Sequence, residues 1–306
     1  RGRAVSYFML GPNMGPILAP IIAGLILMSS NNWRWLFGFI CIISGIALFL
    51  VVLLLPETLR CIVGNGDPRW REDYQLDAES QALKADNRLQ LCKFIGIQVP
   101  VSESLEFQKL YPRPPKPRIM TYWSLIKFLP VTICSVCTAL LFATYYAFSV
   151  TLSHFLKEQY NLSSFQVGAA YVCPGVALLL GSLTGGHLSD YFRKRWLKKN
   201  EDQKFSPARR LKLQVWGLLI SMCGCIGYGW SIERHYHLVV VLVFSFLIAF
   251  GMTWCSNATM TYLTETIPKR AAGTVAVSSF FRNIAAAISA VIIMKLCERM
   301  GIGWCF

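Results

Sequence analysis

The sequence contains few charged residues and fewer acidic than basic ones. Asp, Glu, Lys and Arg together make up 15% of its 306 residues, and 16 acidic residues stand against 30 basic ones. No Asp or Glu lies in the middle of a long apolar stretch, and these stretches contain no cluster of histidines. An enzyme embedded in a membrane would need paired acids or histidines at one depth. We therefore predict that the protein is not an enzyme and needs no cofactor.

Cysteine also fails to form a recognisable site. The eleven cysteines are scattered, and the one Cys-x-x-Cys pair, Cys134 and Cys137, lies inside an apolar stretch. Metal and redox sites are recognised by ligand spacing in a suitable polar setting, which this pair lacks. We interpret both residues as small packing groups and predict no metal site.

Apolar surface is what the sequence has in abundance. Hydrophobic residues make up 54% of the chain, and its mean hydropathy of +0.45 is too high for an ordinary soluble domain. A helix needs about 20 apolar residues to cross roughly 30 Å of hydrocarbon. The stretches that meet this requirement are 4–28, 34–55, 124–150, 166–187, 211–231, 238–262 and 274–296. We predict an all-α integral membrane protein with about seven transmembrane helices and the lipid bilayer as its surroundings.

The distribution of Lys and Arg indicates the orientation of these helices. If Arg1 lies in the cytoplasm, the segments 56–122, 188–212 and 263–273 lie there too, and they hold most of the basic residues. Short loops rich in Lys and Arg stay on the cytoplasmic side. Topology and anionic inner-leaflet lipid then explain the net charge of +14. We predict no nucleic-acid partner.

Residues 56–122 separate the first two apolar stretches from the other five. Charged residues and prolines replace the apolar runs there, which predicts a cytoplasmic linker. Its middle is either an amphipathic helix on the membrane surface or a solvated tether, and residues 111–118 should be extended. We divide the chain into 1–55, the last two spans of an N-terminal six-helix half; the linker; and 123–306, a C-terminal half with five spans and the start of a sixth.

Both ends of the chain suggest that it is a fragment. It begins at Arg1 without an initiator Met or a signal-peptide pattern. It ends at Phe306 in GIGWCF, which resembles the first turn of a further span. A fragment without four spans of one half cannot enclose a central path. One alternative is therefore that the fragment itself is inactive in transport.

A motif of small residues lies at the start of the first apolar stretch, GRAVSYFMLGPNMGPILAP. Its members are Gly2, Gly11, Gly15 and Pro16. In lipid, helices associate through close contact between small residues, so this motif predicts a helix packed tightly against a partner. The order resembles the fifth-span motif of drug:proton antiporters of the major facilitator superfamily, although Ala19 and Pro20 stand where those proteins have two glycines.

A second motif, GGHLSDYFRKR, ends the fourth apolar stretch. Its matching residues are Gly186, Asp190, Lys194 and Arg195. A carboxylate at a helix end followed by basic residues can fix one packing of a helix bundle, although positive-inside topology alone would also place bases there. The motif resembles a loop motif of the same superfamily, with Tyr191 and Arg193 departing from it. That resemblance implies a latch that controls rocking between inward and outward states.

Further segments resemble fungal twelve-span drug:proton antiporters, in particular the quinidine-resistance and dityrosine-transporter subgroup. They are PETLRCIVGNGD at 56–67, ETIPKRAAGTVAVSSFFRNIAAA at 265–287 and the terminal GIGWCF. The resemblance implies a major facilitator bundle, here spans five to eleven with the start of span twelve. It also implies a monomer that exports drugs or small organic molecules by alternating access with proton antiport. The expected location is the plasma membrane, or a spore-forming membrane, of a fungus.

Seven apolar stretches also raise the alternative of a heptahelical receptor. That architecture places its N-terminus outside, against the distribution of Lys and Arg. The sequence has no Asp-Arg-Tyr-like triplet after the third stretch and no Asn-Pro-x-x-Tyr-like end to the last.

Candidate cargo contacts lie within three of the apolar stretches. Arg282 is the one ionisable residue deep in such a stretch, where it either faces a cavity and holds an anion or extends its side chain towards the cytoplasm. The aromatic and polar candidates are Tyr145, Tyr146, Trp254 and Asn257. Aromatic walls with a few polar atoms suit amphipathic or cationic organic molecules, but Tyr and Trp also gather at membrane interfaces.

Overall fold

The computed structural model describes residues 2–30, 32, 34–54, 119–199, 211–267 and 270–306. Within these residues every regular element is a helix. The helices are α1 (Gly2–Ser30), α2 (Arg34–Leu54), α3 (Ile119–Ile126), α4 (Leu129–Glu158), α5 (Ser164–Ala170), α6 (Val172–Lys199), α7 (Leu211–Glu233), α8 (Leu238–Thr266), α9 (Ala271–Met300) and α10 (Ile302–Cys305). Apart from residues 119–122, the predicted linker lies outside the described residues.

The prediction of seven membrane-spanning helices is confirmed for the described part of the chain. Seven helical segments are long and apolar enough to cross a bilayer, and each corresponds to one predicted stretch. Several are longer than predicted: α4 continues to Glu158 and α6 to Lys199. Charged residues are good helix formers, so a helix continues beyond the point where its apolar run ends.

Two of the predicted stretches are interrupted. The third is divided between α3 and α4, where Pro130 occupies the first turn of α4 and has no N–H to continue the preceding helix. The fourth is divided at Tyr171, between α5 and α6. Pro174, which predicts a kink there, cannot donate to the Ala170 carbonyl four residues earlier. Regular helix is therefore interrupted close to a proline in both places.

The helices of one structural unit, residues 1–33 and 118–306, pack around α8. Helices α1, α4, α6, α7 and α9 all contact it. Its buried side chains include Ser256 and Thr259 as well as the apolar Ile248. Large apolar side chains such as Val291 are instead exposed on the outside of the bundle. Polar groups inside and apolar groups outside are what a bilayer solvent requires.

The second unit, residues 34–117, is described over α2 alone. This helix of 21 residues contains no charged residue after Arg34. Its most apolar window has a mean hydropathy of 2.7, the highest among the spans. Such a helix can cross the bilayer without polar partners for its side chains.

Helices α7 and α8 approach each other closely through glycines. A Cβ atom on Gly251 of α8 would lie 2.5 Å from the Gly217 carbonyl oxygen and 2.7 Å from the Ser221 nitrogen, both in α7. Real Cβ atoms do not approach backbone atoms so closely. The crossing therefore requires glycine at position 251, as expected for helices that associate through van der Waals contact in lipid.

Helices α6 and α8 are joined by a buried side-chain amide. Asn257 Nδ2 of α8 donates to the Ser182 carbonyl oxygen over 3.0 Å and lies 2.9 Å from the Ser182 Oγ atom. Both residues are buried, at 4% and 0% exposure. A buried polar side chain without such partners would destabilise the fold, so this bridge fixes the register of the two helices.

We expect Gly251→Ala to lower the free energy of unfolding by about 1–3 kcal/mol, because the new methyl group would overlap the α7 backbone. Gly45→Ala in α2 is the control, since a Cβ there meets no described atom within 4 Å. It should cause no loss and could raise the free energy of unfolding by up to roughly 1 kcal/mol, because Ala favours helix over Gly by that amount. Unfolding of the purified protein by SDS in mixed micelles measures both values. Equal losses in the two variants would contradict the close crossing.

We expect Asn257→Ala and Ser182→Ala to be coupled by about 0.6–1.7 kcal/mol, the range found for hydrogen bonds between helices in membranes. The coupling is obtained from the unfolding free energies of both single variants and the double variant. Asn257→Ala should cost more than Ser182→Ala, since it also leaves the Ser182 carbonyl without the amide donor. Additive losses would show that the hydroxyl bond contributes nothing to helix association.

Candidate functional site

A cavity of about 410 Å³ lies inside the larger unit, and we call it the Arg282 cavity. Its walls come from α1, α4, α6, α8 and α9. Four of these helices, α1, α4, α6 and α9, contact the fifth, α8. A volume of this size is typical of a site for a small organic molecule.

Arg282 supplies the charge of this cavity from α9. Its Nη2 donates to the Ser279 Oγ over 2.9 Å, and its Nη1 lies 3.4 Å from the Ser256 Oγ of α8. The guanidinium carbon lies 4.6 Å from the centroid of the Phe142 ring, in cation–π geometry. Among the described residues no carboxylate pairs with it. The side chain therefore brings a positive charge to the cavity and leaves it uncompensated there.

Three of the four other predicted cargo residues line the same cavity, namely Tyr145, Tyr146 and Asn257. The Tyr145 ring is buried and meets the half-exposed Tyr146 ring edge to face, with centroids 5.9 Å apart. Trp254 does not line the cavity. A Cβ atom added to Gly185 of α6 would lie 3.3 Å from the Trp254 Cα atom, so this face of α8 packs against α6. Trp254 is thus a packing residue of the α6–α8 contact in this structure.

Helix α1 lines the cavity with prolines, a feature that the sequence analysis did not use. Pro12, Pro16 and Pro20 recur at a spacing of four within a continuous helix, so they lie on one face. Pro12 and Pro16 line the Arg282 cavity. A proline has no N–H, so each leaves the carbonyl four residues earlier without its ordinary donor. The regular spacing of four is the sequence pattern from which this face can be found.

The small-residue motif is only partly explained by the described structure. Pro16 lines the cavity. A Cβ on Gly11 or Gly15 would meet no described atom within 4 Å, and Gly2 is the first residue of α1. Close packing of α1 instead involves Gly168, where an added Cβ would lie 2.5 Å from the Pro20 carbonyl oxygen. The prediction that the three motif glycines contact a partner helix stays a prediction.

The second motif lies on α6 and does not contribute to the cavity. Gly186 is buried and Asp190 is partly buried, while Lys194 and Arg195 are exposed. The sequence had suggested that Asp190 lies at a helix end. In the structure α6 continues for nine further residues, to Lys199. Residues 191–199 contain neither Gly nor Pro, and basic residues are favourable near a helix C-terminus. The proposed latch therefore lies on a continuous helix.

A second cavity, of about 610 Å³, lies further along the same helices, and we call it the Tyr171 cavity. Pro20 and Gly24 of α1 line it, on the face that carries Pro12 and Pro16 in the first cavity. Tyr171 lies at the break between α5 and α6, and its hydroxyl donates to the Ser149 carbonyl oxygen of α4. The two cavities thus follow one another along shared helix faces.

No set of three or more His, Cys, Asp or Glu residues able to hold a metal ion occurs among the described residues. The described walls of the Arg282 cavity include no acidic side chain. Cys134 and Cys137 are free cysteines, buried and partly buried. The walls of the Arg282 cavity offer a cation, aromatic faces and hydrogen-bonding groups.

Known proteins similar to this chain are fungal transporters. It is 60% identical to Dityrosine transporter 1 of Saccharomyces cerevisiae and 55% identical to Multidrug transporter DTR1 of Candida glabrata. Both alignments include the whole of this chain and cover 54% and 57% of the relatives. Multidrug transporter QDR2 of Candida glabrata is 26% identical over 55% of its own length. The chain spans about half the length of these curated relatives.

The family comparison matches residues 1–290 with the Major Facilitator Superfamily. The three relatives are named as transporters, which does not favour the receptor alternative. Together with the seven apolar helices, the match identifies an all-α integral membrane protein. Because it covers nearly all of the sequence, the chain belongs to the Major Facilitator Superfamily.

Proposed function

We propose that the protein is a secondary transporter that moves small organic molecules across a membrane by alternating access. The observation that carries this proposal is the Arg282 cavity, a charged and aromatic space of about 410 Å³ inside a bundle with an apolar exterior. An ionisable group within a membrane span costs free energy, and its presence there supports a functional role. The names of the relatives support the same conclusion.

Export coupled to proton antiport is the mechanism that we propose for the whole protein. A carboxylate that binds and releases a proton must change its exposure between the two states of the transporter. The described walls of the Arg282 cavity contain no acidic residue. We therefore place the proton-binding group outside these walls and assign Arg282 to cargo binding.

The names of the relatives suggest two cargo classes, dityrosine and drugs. Dityrosine carries phenol rings, carboxylates and ammonium groups, whereas many drugs are amphipathic cations. Phe142, Tyr145 and Tyr146 offer aromatic faces to both classes. The charge of Arg282 favours a molecule with an anionic group. We propose dityrosine-like molecules as the preferred class.

We propose that the α6 motif controls the change between inward and outward states. Asp190 lies four residues before Lys194 on this helix, and Gly186 lies four residues before Asp190, so the three occupy one face. A partly buried carboxylate that interacts differently in two packings biases the equilibrium between them. This role affects the rate of transport and leaves cargo affinity unchanged.

For the cellular setting, we propose a monomer in the plasma membrane or a spore-forming membrane, with residues 56–122 on the cytoplasmic side. The density of Lys and Arg in this segment supports its cytoplasmic placement. Whether this stretch of chain transports by itself stays a separate question from the activity of the whole protein.

We expect proteoliposomes of the full-length protein to export dityrosine in response to a proton gradient. Asp190→Asn should lower the transport rate at least tenfold with unchanged cargo affinity, because the latch loses its charge. Glu298→Gln is the matched control, since Glu298 is an exposed carboxylate of α9 outside the motif and outside both cavities. Its transport rate should equal that of the wild type.

Each contrary result has a distinct meaning. Transport that ignores the proton gradient would contradict antiport and leave facilitated diffusion. Transport of neither dityrosine nor any drug in the panel would contradict the proposed function. A weaker cargo affinity in Asp190→Asn would place that residue in binding and contradict the latch.

A further inference from the structure

We propose that the Arg282 cavity binds aromatic molecules that carry both a carboxylate and a hydrogen-bond donor. Arg282 binds the carboxylate. Carbonyl groups of α1 that lack an N–H partner, because a proline stands four residues later, accept a hydrogen bond from the donor. The inference rests on the proposed function, because it assumes that this cavity holds the cargo. It adds the groups by which the cavity distinguishes one cargo from another.

The hydrogen-bond partners of Arg282 are the reason for expecting a carboxylate in the cargo. A guanidinium has five N–H donors, and the two recorded bonds, to Ser279 and Ser256, go to neutral hydroxyls. Neutral oxygens orient the group without cancelling its charge. Arg prefers a carboxylate, which it can hold through two parallel bonds. The cavity therefore favours an anionic group and opposes a cargo whose only charge is positive.

The spacing of prolines in α1 is the reason for expecting a hydrogen-bond donor in the cargo. Pro12, Pro16 and Pro20 remove the ordinary donors of the Phe8, Pro12 and Pro16 carbonyl groups. Phe8, Pro12 and Pro16 themselves line the Arg282 cavity. A carbonyl without a donor is unfavourable away from water. An ammonium or hydroxyl group of the cargo would satisfy these acceptors.

The aromatic part of the cargo follows from the α4 wall. Phe142, Tyr145 and Tyr146 line the cavity within two helical turns, and the Phe142 ring also faces the guanidinium. Aromatic rings pack well against such a wall, edge to face or offset. A ring held here lies in the same cavity as the cation of α9 and the acceptors of α1. One molecule that carries all three groups can therefore use all three walls.

Four related probes separate these contributions: 2-naphthylalanine, its amide, its N-acetyl derivative and its N-acetyl amide. They share one fluorescent aromatic group and differ in the carboxylate and the ammonium. Binding to the purified full-length protein in nanodiscs is measured by fluorescence, and transport is measured in proteoliposomes. The variants are Arg282→Gln, Pro16→Ala and, as a matched loss of a cation, Lys295→Gln. Lys295 is an exposed residue of α9 that lines neither cavity.

In the wild type we expect the N-acetyl derivative to bind at least tenfold more tightly than the N-acetyl amide. Arg282→Gln should reduce this ratio below threefold, while Lys295→Gln leaves it unchanged. Arg282→Lys should restore part of the preference, because it keeps the charge and loses the paired geometry. Equal binding of these two probes by the wild type, or an unchanged ratio in Arg282→Gln, would overturn the carboxylate assignment.

Pro16→Ala tests the donor assignment without weakening α1, because alanine favours helix over proline. The new N–H at position 16 satisfies the Pro12 carbonyl group. Wild type should prefer 2-naphthylalanine to its N-acetyl derivative by roughly fivefold, as expected for one hydrogen bond. This preference should become weaker in Pro16→Ala, which still leaves the carbonyl groups of residues 8 and 16 without their ordinary donors, while the carboxylate preference remains. An unchanged preference in Pro16→Ala would overturn the assignment of the donor to α1.

The two measurements distinguish this inference from the proposed function. Binding with the expected preferences but without transport of any probe would support the inference and contradict the transport proposal. Transport of all four probes at equal rates and equal affinities would support the proposed function and overturn the inference.

Discussion

The need to satisfy every backbone polar group without water determines this structure. In hydrocarbon a chain can meet that requirement by forming helices, and the helices must then associate through close contact because lipid is as apolar as their side chains. Gly251 permits this contact where α8 crosses α7. Asn257 supplies a hydrogen bond where α8 crosses α6. The Arg282 cavity lies among α8 and four of its neighbours.

The places where this requirement is relaxed lie beside the two cavities. Pro12 and Pro16 interrupt the hydrogen bonds of α1 on the cavity face. Arg282 brings a charge to a depth where charges are expensive. Tyr171 marks a break between two helices beside the second cavity.

Sequence reasoning predicted the spans well, because hydropathy depends on composition along the chain. It also identified Arg282 as the ionisable residue within a span, and the structure places that residue in a cavity. It missed the break at Pro130, since a short interruption hardly changes the mean hydropathy of a window. It assigned Trp254 to a cavity, whereas that side chain packs against Gly185.

The sequence by itself determined the class of protein, the number of membrane-spanning helices and the family, because these follow from local composition and from short motifs. The tertiary structure alone decided which helix faces meet. Most of these helices carry hydrophobic residues on every face, so the periodicity of hydrophobic residues does not indicate which face points into the bundle. Tyr145 and Trp254 are both aromatic residues within apolar stretches. Tyr145 lines the cavity, whereas Trp254 packs in a contact between helices. The rotation of each helix about its axis is fixed by contacts with its neighbours, and those contacts join residues far apart in the chain.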